Sequence, residues 1–184
     1  MLAAGYGRRF GSDKRLYTIE GGKPMLRLTL ENVIGSGSPC RVCVRDGDTG
    51  IATLLQDLPV EIIPCANSIE GMGATLAEGV RACEDWDALL VALGDMPWVQ
   101  PDTYTRLLSA LDSNTIVQPV YQQKPGNPAG FGRRFYPLLR ALQGDGGGRQ
   151  ILRDNPHQVR PVPVDDAAIH RDLDSPPSTA PDKH

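Results

Sequence analysis

No stretch of the 184-residue sequence is apolar for long enough to span a bilayer, and its N-terminus carries no charged-then-apolar leader. A membrane protein is not expected, and a cytoplasmic enzyme or binding protein is. Basic charge is not in excess either: 19 Lys and Arg against 22 Asp and Glu leave a net charge of -3. A general nucleic-acid surface is therefore not expected, and any polyanionic ligand must be held by a local cluster of cations. No compositional shift and no internal repeat divides the chain, so 40% hydrophobic and 22% charged residues describe one ordinary globular domain. The two common phosphate-binding motifs are missing from the glycine-rich start. Neither Gly5 nor Gly7 continues as GxxxxGK[ST], and Gly5-x-Gly7 is followed by Gly11, one residue too late for GxGxxG.

Cysteine is sparse, and one Cys-x-x-Cys occurs among Cys40, Cys43, Cys65 and Cys83. On a loop that spacing would suggest zinc or redox chemistry. Here it lies in the strand-like run Cys40-Arg41-Val42-Cys43-Val44, where residues three apart point to opposite faces. Buried, reduced thiols are expected instead.

What is present is an opening stretch around which the rest is organised. Leu2-Ala3-Ala4 can end a buried strand and runs into a loop with glycines at 5, 7 and 11 and cations at Arg8, Arg9 and Lys14. Glycine lets backbone N–H groups approach an anion closely, and clustered amide dipoles and cations favour negative charge. The loop reads as an anion cradle.

Further along, Arg15 to Ile19 alternates, and Pro24 opens a helix to about Ile34 with Met25, Leu28 and Val33 on its buried stripe. Arg41 to Arg45 reads as a strand, Ile51 to Leu58 as a short helix, and Val60 to Ile63 as a second strand. Gly71-Met72-Gly73 precedes a helix carrying Leu76, Val80 and Cys83. These glycines suit close ligand approach and equally a flexible joint. Ala88 to Leu93 is six apolar residues long, the mark of a strand covered on both faces. Pro101 opens a helix, Thr115 to Val120 is a strand, and the Gly- and Pro-rich segment Gln122 to Gly132 breaks the rhythm. A helix from about Arg133 to Leu142 burying Phe135, Leu138, Leu139 and Leu142, and a last strand from Val159 to Val164, complete the pattern. The alternation predicts a single Rossmann-like, doubly wound α/β domain over residues 1–174, with a mostly parallel sheet, helices on both faces and a disordered tail from 175 to 184.

In such sheets ligands sit beyond the carboxyl ends of the strands. Both the opening loop and Asp95, in Gly94-Asp95-Met96-Pro97, follow strand ends. Asp95 has the oxygen chemistry of a Mg²⁺ ligand beside nucleotide phosphates, although Asp between Gly and Pro also forms turns. Asp172-Leu173-Asp174 reads by itself as a solvated surface turn.

The ordered set Leu2-Ala3-Ala4-Gly5-x-Gly7-x-Arg9-Phe10-Gly11 with Lys14, Gly71-Met72-Gly73, Gly94-Asp95-Met96-Pro97, Gly126-Asn127-Pro128 and Asp172-Leu173-Asp174-Ser175-Pro176 resembles the MobA-like nucleotidyltransferases of molybdenum cofactor maturation, most of all their cytidylyltransferases. The resemblance runs from residue 2 to about 176. It implies transfer of a nucleoside monophosphate from an NTP to the phosphate of molybdopterin, with release of pyrophosphate. It implies Arg9, Lys14 and Asp95 as catalytic groups, and Leu2, Ala3, Ala4, Gly5, Gly7, Arg9, Lys14, Gly71, Met72, Gly73 and Asp95 at the nucleotide. Mg²⁺ falls to Asp95, Asp172 and Asp174, and the acceptor to Gly126, Asn127 and Pro128. A recipient molybdoenzyme is an implied partner.

Leu-Ala-Ala-Gly is the form of the cytidylyl branch, so Ala4 favours CTP; a methyl group can crowd a larger purine, with modest discrimination. Gly126-Asn127-Pro128 departs from the Gly-His-Pro common in that branch, and Ser175-Pro176-Pro177-Ser178 from the family's Thr-Pro-Glu-Asp. The chain also starts almost at the loop, where relatives have several more residues of a central first strand, and an upstream stretch of that strand is expected. A guanylyltransferase, a nucleotidyltransferase acting on another phosphorylated small molecule and a non-catalytic nucleotide-binding protein that delivers a cofactor stand as alternatives.

Overall fold

The computed structural model describes residues 1–7, 10–19 and 21–174. After the opening loop and a 3-10 turn at Lys14–Leu16, the elements run α1 (Met25–Ile34), β1 (Cys40–Arg45), α2 (Thr49–Leu55), β2 (Val60–Cys65), α3 (Met72–Ala82), β3 (Ala88–Val91) and α4 (Pro101–Ala110). β4 (Ile116–Tyr121), β5 (Lys124–Pro125), β6 (Ala129–Gly132), α5 (Tyr136–Arg140), α6 (Arg149–Asp154) and β7 (Val159–Pro163) follow. No helix among the described residues is long and apolar enough to cross a membrane.

β1 and β2 pair in parallel, as do β4 and β7, whereas β6 runs antiparallel to both β3 and β4. Met1–Ala3 joins the two groups: Leu2 bridges in parallel to Cys43 on one side and to Leu93 on the other. Ala3 N–H donates to Cys43 O at 2.9 Å and Leu2 N–H to Ala92 O at 2.8 Å. The sheet order is therefore β2, β1, residues 1–3, β3, β6, β4, β7, a single α/β layer of mostly parallel strands.

Apolar residues cover both faces. On one, Leu76 and Val80 of α3 meet Leu89, Ile116, Phe131, Leu139 and Ile151. On the other, Leu26 and Leu30 of α1 pack with Val42, Val44, Ile51 and Leu55. Covering both faces is what gives parallel strands their near-continuous apolar character. The four cysteines are free and buried, as the strand position of the Cys-x-x-Cys requires.

Several local expectations are corrected. Residues 15–19 form no strand: Arg15 lies in the 3-10 turn, where Asp13 accepts from its N–H, and Thr18 makes a lone bridge to Pro24. The buried stripe of α1 is Met25, Leu26, Thr29 and Leu30, with Leu28 and Val33 only partly covered. The segment Gln122 to Gly132 contains β5 and the wholly buried β6. Gln122 and Gln123 turn the hairpin at φ 48° and 64°, a left-handed geometry usually marked by Asn or Gly. Gly130 is needed because an added Cβ would stand 2.6 Å from Val117 Cγ2 and 2.7 Å from Leu90 Cδ2. The helix expected from Arg133 to Leu142 is a 3-10 turn at Arg133–Phe135 followed by the short α5, and Leu138 is 47% exposed.

Candidate functional site

Because the parallel strands share a direction, residues 4–7 and 10–14, the loop after β2, residues 92–97 and residues 164–174 all leave the sheet at its carboxyl edge. β6 runs the other way, so its start lies there too: Ala129 pairs with Val91, the last residue of β3. Every described motif singled out in the sequence reaches this edge or follows a strand that does.

The opening loop is built against the protein by its carbonyl groups. Arg15, almost fully buried, donates from Nη1 to Ala3 O at 2.8 Å and pairs through Nη2 with Asp48 at 2.6 Å and with Asp13. Arg45, at the end of β1, donates to Gly5 O at 2.5 Å and to Ala4 O at 3.4 Å, with its guanidinium 4.6 Å from the centre of the Tyr6 ring. The N–H groups of Ala4, Gly5, Tyr6 and Gly7 donate to no acceptor among the described residues. Gly7 takes φ +56°, and a Cβ there would meet Ser12 O at 3.2 Å, so the turn needs glycine. Phe10 closes the loop by packing with Ile19, Met25 and Leu173.

The Arg15 bond holds the Asp13 carboxyl below its usual value. Burial pushes the Arg15 guanidinium down, but its bonds to Asp13 and Asp48 outweigh that and raise it, so the buried cation stays charged.

Asp95 is set beside this loop by Gly94, whose N–H donates to Leu2 O at 2.9 Å. A Cβ at Gly94 would lie 3.0 Å from Leu2 O. Lys14 Nζ reaches Asp95 Oδ2 at 2.7 Å, Asp174 Oδ1 at 3.6 Å and Leu173 O at 3.5 Å. The C-terminal arm is docked by Leu173, whose side chain joins Phe10 and Met25 and whose N–H donates to Asp95 O at 2.9 Å. Arg171 stacks on Trp98, 3.6 Å from its ring centre. One carboxylate oxygen each from Asp95, Asp172 and Asp174 then lies within 4.8 Å of the others. Three carboxylates and one ammonium leave negative charge in excess, and an all-oxygen donor set of this kind fits a hard divalent cation.

The structure thus brings together Leu2, Ala3, Ala4, Gly5, Gly7, Lys14, Asp95, Asp172 and Asp174. Asp172 and Asp174 are exposed, as a surface turn would be, yet the Leu173 anchor turns both toward Asp95. Arg9 lies outside the described residues. At Gly71-Met72-Gly73, the space a Cβ would fill is taken by the protein itself: Gly71 (φ +122°) would strike Asp145 and Gly144, and Gly73 would strike Gln143 O at 2.7 Å. Gly126 packs against Ile169, and Asn127 N–H donates to Ile169 O at 2.9 Å, which ties residues 126–128 to the turn preceding the acidic arm.

Sequence reasoning missed Arg15, Asp48 and Arg45. Arg45 had a signal, a cation at the carboxyl end of a strand next to the cradle. Arg15 was masked by the apparent alternation of residues 15–19.

The family model of the MobA-like NTP transferase domain matches residues 1–160. The chain belongs to this family. It is a nucleotidyltransferase by that membership, and a nucleoside triphosphate substrate is consistent with the family. Nicotine blue oxidoreductase of Paenarthrobacter nicotinovorans is 25% identical over 184 residues, spanning 95% of this chain and 90% of its own. A nucleotidyl transferase from Methanothermobacter thermautotroptrophicus superposes with a TM-score of 0.81 at 20% identity, covering 95% of this chain and 89% of that one. Molybdopterin-guanine dinucleotide biosynthesis protein A from Archaeoglobus fulgidus does so with a TM-score of 0.62 at 24% identity, covering 89% and 81%. At these identities the two structures speak for the shared fold.

Proposed function

We propose that this MobA-like transferase moves CMP from CTP onto the terminal phosphate of a molybdopterin-type acceptor, with Mg²⁺ as its metal. The observation that supports it most is the meeting of Asp95, Asp172 and Asp174 with Lys14 beside a loop whose amide N–H groups at residues 4–7 find no acceptor among the described residues. The cradle takes the triphosphate on those N–H groups and on Lys14 and Arg9. An acceptor phosphate oxygen attacks the α-phosphorus, the bond from the α-phosphorus to the α,β-bridging oxygen breaks, and pyrophosphate leaves. The acceptor is already an anionic nucleophile, so holding it in line and neutralising the leaving group suffice, and no general base is required. Asp95 and the Asp172/Asp174 arm would hold Mg²⁺, which supplies neutralisation of phosphate charge when bound. Lys14 is positioned to serve the triphosphate beside that ion.

Gly126-Asn127-Pro128 faces the acceptor in this reading, since it stands at the same edge and is bonded to the acidic arm's own turn. Ala4, buried at the foot of the cradle, is the base filter, and Ala4→Gly is expected to raise turnover with GTP relative to CTP. Pyrophosphate release measured with CTP, GTP and ATP against molybdopterin and a panel of other phosphorylated acceptors tests the proposal. Release with CTP and molybdopterin is the expected result. Release with another acceptor alone moves the substrate and leaves the chemistry. Binding of NTP with no release under any acceptor replaces the enzyme with a cofactor-delivery role.

A further inference from the structure

Three consecutive carbonyl groups of the cradle, those of Ala3, Ala4 and Gly5, are each taken by an arginine: Ala3 O by Arg15, Ala4 O and Gly5 O by Arg45. The peptide units they belong to are trans. In a trans peptide the C=O and the N–H of the same plane point in opposite directions. Fixing the carbonyls of residues 3, 4 and 5 onto the arginines therefore fixes the N–H groups of Ala4, Gly5 and Tyr6 away from them. Those are N–H groups that no acceptor among the described residues uses.

We infer that Arg15 and Arg45 are positioning residues, which grip the cradle from behind by its carbonyl oxygens and so present its N–H groups to the triphosphate. This rests on the reading of the site as a triphosphate cradle.

The alternative conformation shows why such a grip matters. A glycine-containing loop can flip a peptide plane at little steric expense. Each flip would replace an N–H donor with a carbonyl oxygen facing phosphate oxygens, turning an attraction into a repulsion. Asp13 and Asp48 keep the two arginines in place. Asp13 bonds Arg15 and lies 3.6 Å from Arg45, and Asp48, from the loop after β1, pairs with Arg15 at 2.6 Å. The guanidinium is suited to this because its donors fan out in one plane and can serve a carbonyl and a carboxylate at once. Tyr6, under the Arg45 guanidinium, fixes the outer end of the grip.

The test uses Arg45→Met, which keeps an aliphatic stem against Tyr6 and deletes the donors, and Arg15→Lys, which keeps a charge opposite Asp13 and Asp48 but cannot serve Ala3 O and both carboxylates together. Pyrophosphate and NTP binding to the wild-type chain are measured first. Absence of both overturns the triphosphate reading and this inference with it. Given binding, Arg45→Met is expected to raise KM for the NTP about tenfold with kcat within about twofold, the signature of lost ground-state binding. Pyrophosphate affinity should fall by the same factor, while Mn²⁺ affinity of the protein alone stays within about twofold, since Asp95, Asp172 and Asp174 are untouched. Arg15→Lys should move the same quantities in the same direction at an unchanged far-UV spectrum. Unchanged KM and pyrophosphate affinity in both variants overturn the inference. So does full recovery by Arg45→Lys, whose single ammonium nitrogen cannot span Ala4 O and Gly5 O as the two guanidinium nitrogens do.

Discussion

Two glycine-bearing turns reach the carboxyl edge of this sheet, and they use glycine for opposite ends. Around Gly5 and Gly11 no other atom of the described residues lies within 4 Å of where a side chain would begin. Around Gly71 and Gly73 that space is filled by the backbone of Gln143 and Gly144, and Gly73 N–H is already bonded to Gly144 O at 2.6 Å. The first turn is open and held from behind by charged side chains. The second is closed by packing of one loop on another. At Gly5 and Gly11 of the first turn glycine leaves space open, although Gly7 is needed for the turn itself, and in the second turn it lets the chain approach itself. The second turn places α3 against the 143–147 loop.

That contrast can be broken by substitution, most severely at the chemistry beside the open turn. Asp95→Ala removes a carboxylate from the acidic trio and the partner of Lys14, and turnover should fall by about 10³-fold or more, as losses of a main electrostatic group do, with an unchanged melting temperature. A steady-state pyrophosphate assay alongside a thermal melt reads both. Gly73→Ala comes next and should damage the fold: a methyl group 2.7 Å from Gln143 O and 2.8 Å from Gly144 O meets backbone, and overpacking of this kind is worth roughly 1–3 kcal/mol. Urea denaturation measures it, and a loss below about 0.5 kcal/mol, the ordinary scatter of surface changes, would erase the distinction between the two turns.

Gly5→Ala should do the reverse. Stability stays within about 0.5 kcal/mol because the space is empty, whereas KM for the NTP rises several-fold as the methyl group enters the cradle. The smallest effect concerns pH. Asp13 has a folded value below its ordinary 3.8, so its stabilisation is complete above that value and is lost as pH falls through the lower folded one. Denaturation midpoints taken across this acid window should fall for the wild-type chain and fall less steeply in Asp13→Asn, the remaining fall coming from carboxylates such as Asp57 and Asp85, which Arg27 and Arg41 also hold low.

Much of this architecture is legible in the amino-acid sequence. Strands end where apolar runs end, and the placement of residues 4–14 and Asp95 at one edge follows from the strand and helix alternation alone. β6 is hidden because Ala129-Gly130-Phe131-Gly132 looks like loop: its glycines answer to close neighbours across the sheet, which sequence does not display, and its hairpin turns on two glutamines. The acidic arm is legible only through family resemblance. By itself Asp172-Leu173-Asp174 is an exposed pair of acids, and what brings it to Asp95 is the burial of Leu173 among Phe10, Ile19 and Met25, residues more than a hundred positions away. Arg15 is hidden for a related reason, since its partners Ala3 and Asp48 come from different strand ends.

The cradle, Asp95 and the acidic arm are proposed to form one metal-assisted triphosphate site. The most direct test is the thermal stability of the wild-type chain and of Asp95→Ala with CTP, GTP, ATP and NAD, each with and without Mg²⁺, since a ligand raises stability in proportion to ln(1 + [L]/Kd). CTP with Mg²⁺ should stabilise the wild-type chain most, and Asp95→Ala should lose the Mg²⁺-dependent part of that shift. Stabilisation by NAD, with no response to any triphosphate in the presence of Mg²⁺, would contradict it.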